Sequence, residues 1–144
     1  METLSSIVND GIARVMASTH ADHAEDLIRN AARAVYEMSL ADPQQSRLLF
    51  EFICAPPTEN LREYMQTIFS SSIGLIEEAV RQGIQEGRFI EALDVAVVAW
   101  EIASLGIALN IGIMLEMPNF LGLAQALSAV DNILLAIRKA PLPT

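Results

Sequence analysis

Apolar residues recur along this chain with a helical period, and the period breaks at residues that start or stop helices. Over 2–18, Leu4, Ile7, Val8, Ile12, Val15 and Met16 share one helical face. Asp22, with Glu25 three residues on, has the pattern of a capping box and predicts a helix with Leu27, Ile28, Ala31, Val35 and Met38 inside. In "ADPQQ", Asp42 stands as N-cap, Pro43 at the first helical position and Gln45 at the third. The short helix that follows carries Leu48, Leu49, Phe50, Phe52 and Ile53, and "APP" ends it. Thr58 then caps a long helix over 58–86, with Leu61, Met65, Ile68, Ser72, Leu75 and Ala79 as its inner stripe. No stretch alternates apolar and polar residues between turn signals, so no strand is expected. The chain reads as a single all-α domain, 1–144, of six helices.

The stop at the end of the long helix is strongly marked. In "RQGIQEGRF", Gly87 falls just past the last helical residue, where a left-handed conformation costs glycine little. Phe89 follows closely enough to fold back on Val80 or Ile84. Gly83, on the inner stripe, would admit a close neighbour, at about 1 kcal/mol in helix propensity. Asp94 then caps a helix over 95–117 that is apolar nearly all round, with Glu101 its only charge between Val95 and Leu115. That length suffices to span a membrane. Its flanks, Asp94 and Glu116, are acidic, and a mid-helix carboxylate is expensive in lipid, so burial on all sides is the better reading. Pro118 should stop this helix and Asn119 cap the last one, over 119–139.

Covering such a helix is hard for one small chain, which points to a second copy. Ala99, Ala103, Gly106 and Asn110 form a seam of small residues on the apolar helix. The last helix packs inward through Phe120, Leu123, Leu127, Val130, Leu134 and Ile137, and presents Ala124, Ser128, Asp131 and Leu135 on a second face. Two helices from each subunit would form a four-helix bundle across a two-fold axis, a homodimer.

Composition narrows the function classes. The net charge is −9, and the nine basic residues, one of them lysine, are scattered. Nucleic acid and anionic membranes both demand clustered cations, so neither is an expected partner of these residues. One cysteine, Cys54, cannot form a disulfide framework and is expected to be a small buried apolar group. A reducing, cytoplasmic setting fits, and no secretory signal follows Met1. His20, Asp22 and His23 are close enough in sequence to share a metal but are better read as solvated residues at a helix start. No nucleophile–base pattern or phosphate loop stands out, so no enzyme, cofactor or metal is expected.

"LIEEAVRQGIQEGRFIEALDVAVVAWEIASLGIAL" resembles the C-terminal region of the tetracycline-repressor (TetR) family of bacterial transcription regulators. "ADPQQSRLLFEF" is similar to the short helix that precedes it in that family, and "METLSSIVNDGIARVM" to the helix after the DNA-reading module. The resemblance covers nearly the whole chain but only the effector and dimerisation part. It implies a six-helix fold whose last two helices dimerise, and a small apolar or amphipathic effector held within the bundle. No segment supplies a helix-turn-helix, so DNA would be read only by a head absent from these residues, and the chain is expected to be part of a longer regulator. The alternative is a stand-alone helical protein that binds or sequesters a small molecule.

In the resembled fold, Phe50, Met65, Ile68, Phe69, Ser72, Trp100 and Ser104 would converge on the effector. Each also fits an ordinary core position. Glu101, one turn before Ser104, would pair with a cationic or hydrogen-bonding ligand, pair with an arginine such as Arg33 or Arg47, or lie exposed. Whatever the effector, these residues alone should show no sequence-specific binding to duplex DNA at physiological salt. An electrophoretic mobility shift that is both site-selective and salt-dependent would contradict this.

Overall fold

The computed structural model describes residues 21–140 apart from 55–57 and 118–121. Five helices run through them: α1 Ala24–Ala41, α2 Pro43–Cys54, α3 Glu59–Gln85, α4 Val95–Met114 and α5 Leu123–Ile137. The described part is all-α, with one isolated bridge between Phe89 and Arg138. The helix expected over 2–18 and the residues "APP", Pro118, Asn119 and Phe120 lie outside the described residues, as do the side chains of Leu49, Phe52, Ile53 and Leu61. Helices α1 and α4 each pack against the other four.

The turn after α3 organises the centre. Gly87 takes the left-handed φ of 71°, and paired bonds close the helix end: Gly87 N–H to the Ile84 carbonyl (2.9 Å) and Arg88 N–H to the Gly83 carbonyl (3.0 Å). The chain then turns back, and Phe89 becomes fully buried. Its ring lies on Gly83, where a Cβ would overlap the ring edge, and it shares one buried cluster with Val80, against which Ile84 packs. The close neighbour that Gly83 admits is thus six residues away in its own chain.

Beyond Phe89 the backbone pairs briefly with the end of α5. Ile90 N–H donates to the Ile137 carbonyl (3.0 Å), and Lys139 N–H to the Arg88 carbonyl (2.7 Å). Salt bridges extend this junction: Arg138 grips Glu25 at the start of α1 through two bonds of 3.0 and 2.6 Å, and Lys139 meets Glu91 at 2.8 Å. Three helix ends therefore meet in one place.

The capping expectations divide. Asp42 Oδ1 accepts from Gln44 N–H (3.1 Å) ahead of α2, and Asp94 Oδ1 from Val97 N–H (3.2 Å) ahead of α4, as their positions predict. The capping box at α1 does not form. His23 is the N-cap residue and makes no side-chain cap. Glu25 is turned to Arg138, and the Ala24 N–H is met by Glu86 from the end of α3 (3.2 Å). A carboxylate brought in by the tertiary fold has replaced the local one. Helix α4 ends at Met114, short of the expected 117, because Glu116 turns left-handed at φ 53° and Met117 N–H closes on the Gly112 carbonyl (2.9 Å). Helix α5 starts at Leu123 after an extended Gly122, later than the expected 119.

The inward faces are rotated from the expected stripes in two helices. In α1 the buried line is Ala24, Ile28, Ala32 and Tyr36, while Val35 is exposed. In α3 it is Ile73, Ala79, Val80 and Gly83, with Leu75 exposed. Leu48 in α2 is exposed too, and Ser46 is buried there instead. Cys54, expected to be buried, is exposed at the end of α2. The α5 seam holds: Leu127, Val130, Leu134 and Ile137 are buried, with Leu123 packed against them.

The fit of Phe89 on Gly83 has a measurable consequence. Gly83→Ala should destabilise the protein by about 1–3 kcal/mol, since the overlap outweighs the gain in helix propensity. In a Phe89→Ala background the same change should turn neutral or stabilising by up to about 1 kcal/mol. Urea denaturation of the four-member mutant cycle reads this coupling directly.

Candidate functional site

Helix α4 carries the chemistry that the sequence singled out, and its two faces differ. Ala99 and Leu109 are fully buried, and Val98 and Ile102 nearly so. Gly106 faces α1, where an added Cβ would touch the Tyr36 ring at 3.7 Å. Burial pushes the Tyr36 phenol up to about 12. Asn110 is tied within the chain: it accepts from the Ser46 hydroxyl of α2 and donates to the Gly106 carbonyl (2.8 Å). Ala103 is half-buried beside them. The seam of small residues thus admits neighbours from the same chain.

The opposite face of α4 is apolar and open. Val97, Trp100, Ile107, Ile111 and Leu115 are all exposed, Trp100 at 55%, and with Ser104 between Trp100 and Ile107 they follow one another at three- and four-residue spacing. Ser104 and Glu101 lie on the same ridge and are exposed. Only 28% of the most apolar stretch of this helix is buried, so the expectation of burial on all sides fails within one chain. By length and composition the helix could also cross a membrane.

Glu101 is therefore not a buried carboxylate, and among the described residues it has no ion-pair partner. Arg33 lies 3.8 Å from Glu37, and Arg47 lies 3.8 Å from Glu51, so neither arginine serves it. The Ser104 hydroxyl donates back to the Glu101 carbonyl at 2.8 Å, a local bond that leaves the carboxylate free.

The remaining candidate effector residues lie on two other helices. Phe50 on α2 and Met65, Ile68, Phe69 and Ser72 on α3 are half-buried. The Ser72 hydroxyl bonds the Ile68 carbonyl one turn back (3.0 Å). Helices α2 and α3 both pack on α4 but hardly touch each other. The exposed position of Trp100, Glu101 and Ser104 separates them from the inward face of α4.

A groove of about 330 Å³ opens elsewhere, between α1 and α5, lined by Arg29, Arg33, Leu123, Ala124, Leu127, Ser128 and Asp131. Three of the residues assigned to the dimer face, Ala124, Ser128 and Asp131, are here; Leu135, the fourth, is exposed at 65%. Asp131 is held by Arg29 through two bonds, Nε to Oδ1 at 2.7 Å and Nη2 to Oδ2 at 3.0 Å. These hydrogen bonds draw the Asp131 carboxyl below the usual aspartate range and raise the guanidinium. Glu86 and Glu91 are likewise lowered, the first chiefly by the Gln82 amide and the Ala24 N–H, the second by Lys139.

Sequence reasoning missed Arg29 and Arg33 as a pair at this groove, because nothing in helical spacing tells which helix a charged face will meet. It also missed Tyr64 on α3, whose hydroxyl is buried without a hydrogen-bond partner. Of the histidine pair considered for a metal, His20 lies outside the described residues. No cluster of three potential ligands occurs among the described ones. No family model matches the chain, and neither a curated protein nor a solved structure matches it.

The Arg29–Asp131 pair is over 40% exposed on both sides, so its worth is small. Asp131→Asn should cost no more than about 1 kcal/mol at neutral pH. Because the folded carboxyl titrates below its unfolded value, its contribution is complete above the ordinary aspartate range and is lost as pH falls through and below it. The stability gap between wild type and Asp131→Asn, followed by denaturation against pH, should therefore close in acid.

Proposed function

We propose that this chain is the effector-sensing and dimerisation part of a TetR-like transcription regulator, a repressor whose separate helix-turn-helix head is controlled by a small apolar or amphipathic effector. The observation that carries the dimer is the exposed ridge of α4. A continuous apolar face of this kind, with Trp100 and Leu115 more than half exposed, is a surface that soluble monomers rarely leave in water. A second copy of the chain, using α4 and α5, covers it. Support for the regulator class is the resemblance carried by the Gly83–Gly87–Phe89 turn and the Asp94-capped apolar helix.

The effector would enter where α2 and α3 diverge over α4, with half-buried Phe50, Met65, Ile68, Phe69 and Ser72 as its surroundings. Its binding shifts the placement of the segment before α1 relative to the dimer core. The free energy available is the difference in its affinity for the two arrangements. The reading involves no catalytic step, cofactor or metal, and its natural compartment is the cytoplasm.

Trp100, the only tryptophan, reports the dimer rather than the pocket. Dilution should shift its emission to the red as sedimentation equilibrium shows dimer passing to monomer. Ile111→Asp should bring both changes to higher protein concentration. A chain that remains monomeric at high concentration, with Trp100 solvated throughout, would remove the dimer. The sensing half is read separately, from the melting temperature against a panel of hydrophobic drugs, dyes and fatty acids. A saturable rise that Ile68→Asp abolishes supports the effector site. A stable fold that no compound shifts would make the chain a dimerisation module only. Restoring the upstream reading frame decides between a regulator and a free-standing sequestering protein: the former gains operator binding released by the same compound.

A further inference from the structure

Tyr64 of α3 is buried the wrong way round for a tyrosine. Such a side chain usually keeps its ring in the core and its polar tip in water or on a partner. Here the residue as a whole stays half-buried, while the hydroxyl is shut away from solvent with no hydrogen-bond partner. A buried polar atom left unpaired opposes folding, since its bonds to water are lost and nothing replaces them. Its position matters as well. Tyr64 stands one turn before Ile68 and two before Ser72, beside Met65, on the face of α3 that carries the candidate effector residues.

The other polar groups around that face are spoken for. The Ser72 hydroxyl donates to the Ile68 carbonyl at 3.0 Å. Ser46 and Asn110 bond each other between α2 and α4, and the Asn110 amide also donates to the Gly106 carbonyl. Arg62 and Glu63, the charges next to Tyr64 in sequence, are exposed, as is Glu101, the one charge of α4. The inner side of α3 over 64–72 thus offers a ligand an apolar wall and one unclaimed hydroxyl.

We propose that Tyr64 is the polar anchor of the effector site, and that the effector is an uncharged, largely apolar molecule with an acceptor oxygen, such as a ketone or ester carbonyl, bound by the Tyr64 hydroxyl. The inference rests on the effector reading above and names its ligand class. The aromatic ring draws on the lone pair of a phenol oxygen, so the group donates more readily than it accepts, and the ligand atom is an acceptor. A carboxylate or ammonium would shed its hydration there without a counter-ion, whereas a neutral carbonyl gives up far less. A plain hydrocarbon would fill the same space but leave the hydroxyl unpaired, which a site of this kind discriminates against.

Tyr64→Phe tests this in two independent readings. In the free protein the variant should unfold in urea at the wild-type midpoint or a higher one, because the unpaired hydroxyl is gone and the ring remains. A lowered midpoint would mean that the hydroxyl already has a partner in the folded chain, and would overturn the proposal. For binding, the probes are acetophenone and acetylnaphthalene, each set against its deoxygenated counterpart, ethylbenzene or ethylnaphthalene, in calorimetric titrations. The variant should lose about fivefold or more in affinity for the ketones and nothing for the hydrocarbons. The carbonyl stretch of bound acetylnaphthalene, read by infrared difference spectroscopy, should lie lower in wild type than in the variant. An equal loss for both kinds of compound, or no loss for either, would leave the effector site standing and remove Tyr64 as its anchor. Folded wild type that binds neither ketones nor hydrocarbons would remove the site and the anchor together.

Discussion

The seating of Phe89 on Gly83 is the contact on which the described structure turns. A helix of 27 residues, α3, must end so that the chain can reverse and lay α4 along it. The left-handed glycine at 87 makes the reversal, but a reversal alone leaves the direction of exit loose. The Phe89 ring, fully buried against the bare Cα of Gly83, removes that freedom. Once it is seated, Ile90 and Lys139 find their backbone partners, and the ends of α3 and α5 are joined. Glu86 can then reach the first amide of α1, and Arg138 can reach Glu25. One aromatic–glycine contact thereby aligns three helix ends.

From that junction the helices run out to less constrained ground. The buried line of α1 runs from Ala24, at the end of α3, to Tyr36, whose ring stands beside Gly106 of α4. Ser46 and Asn110 pair across α2 and α4, so even the polar groups on the inner side of α4 are used within the chain. What the chain does not use is the outer side of α4. The hydrophobic effect that drives the core together thus leaves a second, unsatisfied apolar surface on the same helix. Dimerisation as proposed is the completion of that burial rather than an addition to it.

Charge plays a directing part. Most ion pairs here are local pairs on helix surfaces, such as Arg81 with Glu77 and Arg47 with Glu51, and contribute little to stability. Among those that join distant parts, Arg29 with Asp131 and Arg138 with Glu25 tie α1 to α5 at two places along their length. Both are bidentate, which fixes orientation as well as distance. With a net charge of −9, the few arginines are scarce, and their positions decide where another acidic surface can approach.

Local signals were legible in the sequence wherever the physics is local. Asp42, Asp94 and Gly87 act within one turn of chain, and the fold uses each as its spacing suggests. The α5 seam was legible for the same reason, since five apolar residues at helical spacing leave little choice of face. Periodicity could not decide which residues of α1 and α3 turn inward, because broad apolar faces allow rotation and only the packed neighbours choose. Tyr36 rather than Val35 is buried in α1, with its ring beside Gly106 of α4, a neighbour seventy positions later. Likewise, Asp22 and Glu25 lost the cap of α1 to Glu86 and Arg138, which become available only after the chain has folded back. Trp100 and Glu101 were placed on an apolar helix by sequence, but their exposure follows from how many neighbours one chain of this length can bring to that helix. The sequence determined by itself where helices begin and turn; the tertiary structure decided which side of each faces in, because burial is a property of neighbours and not of spacing.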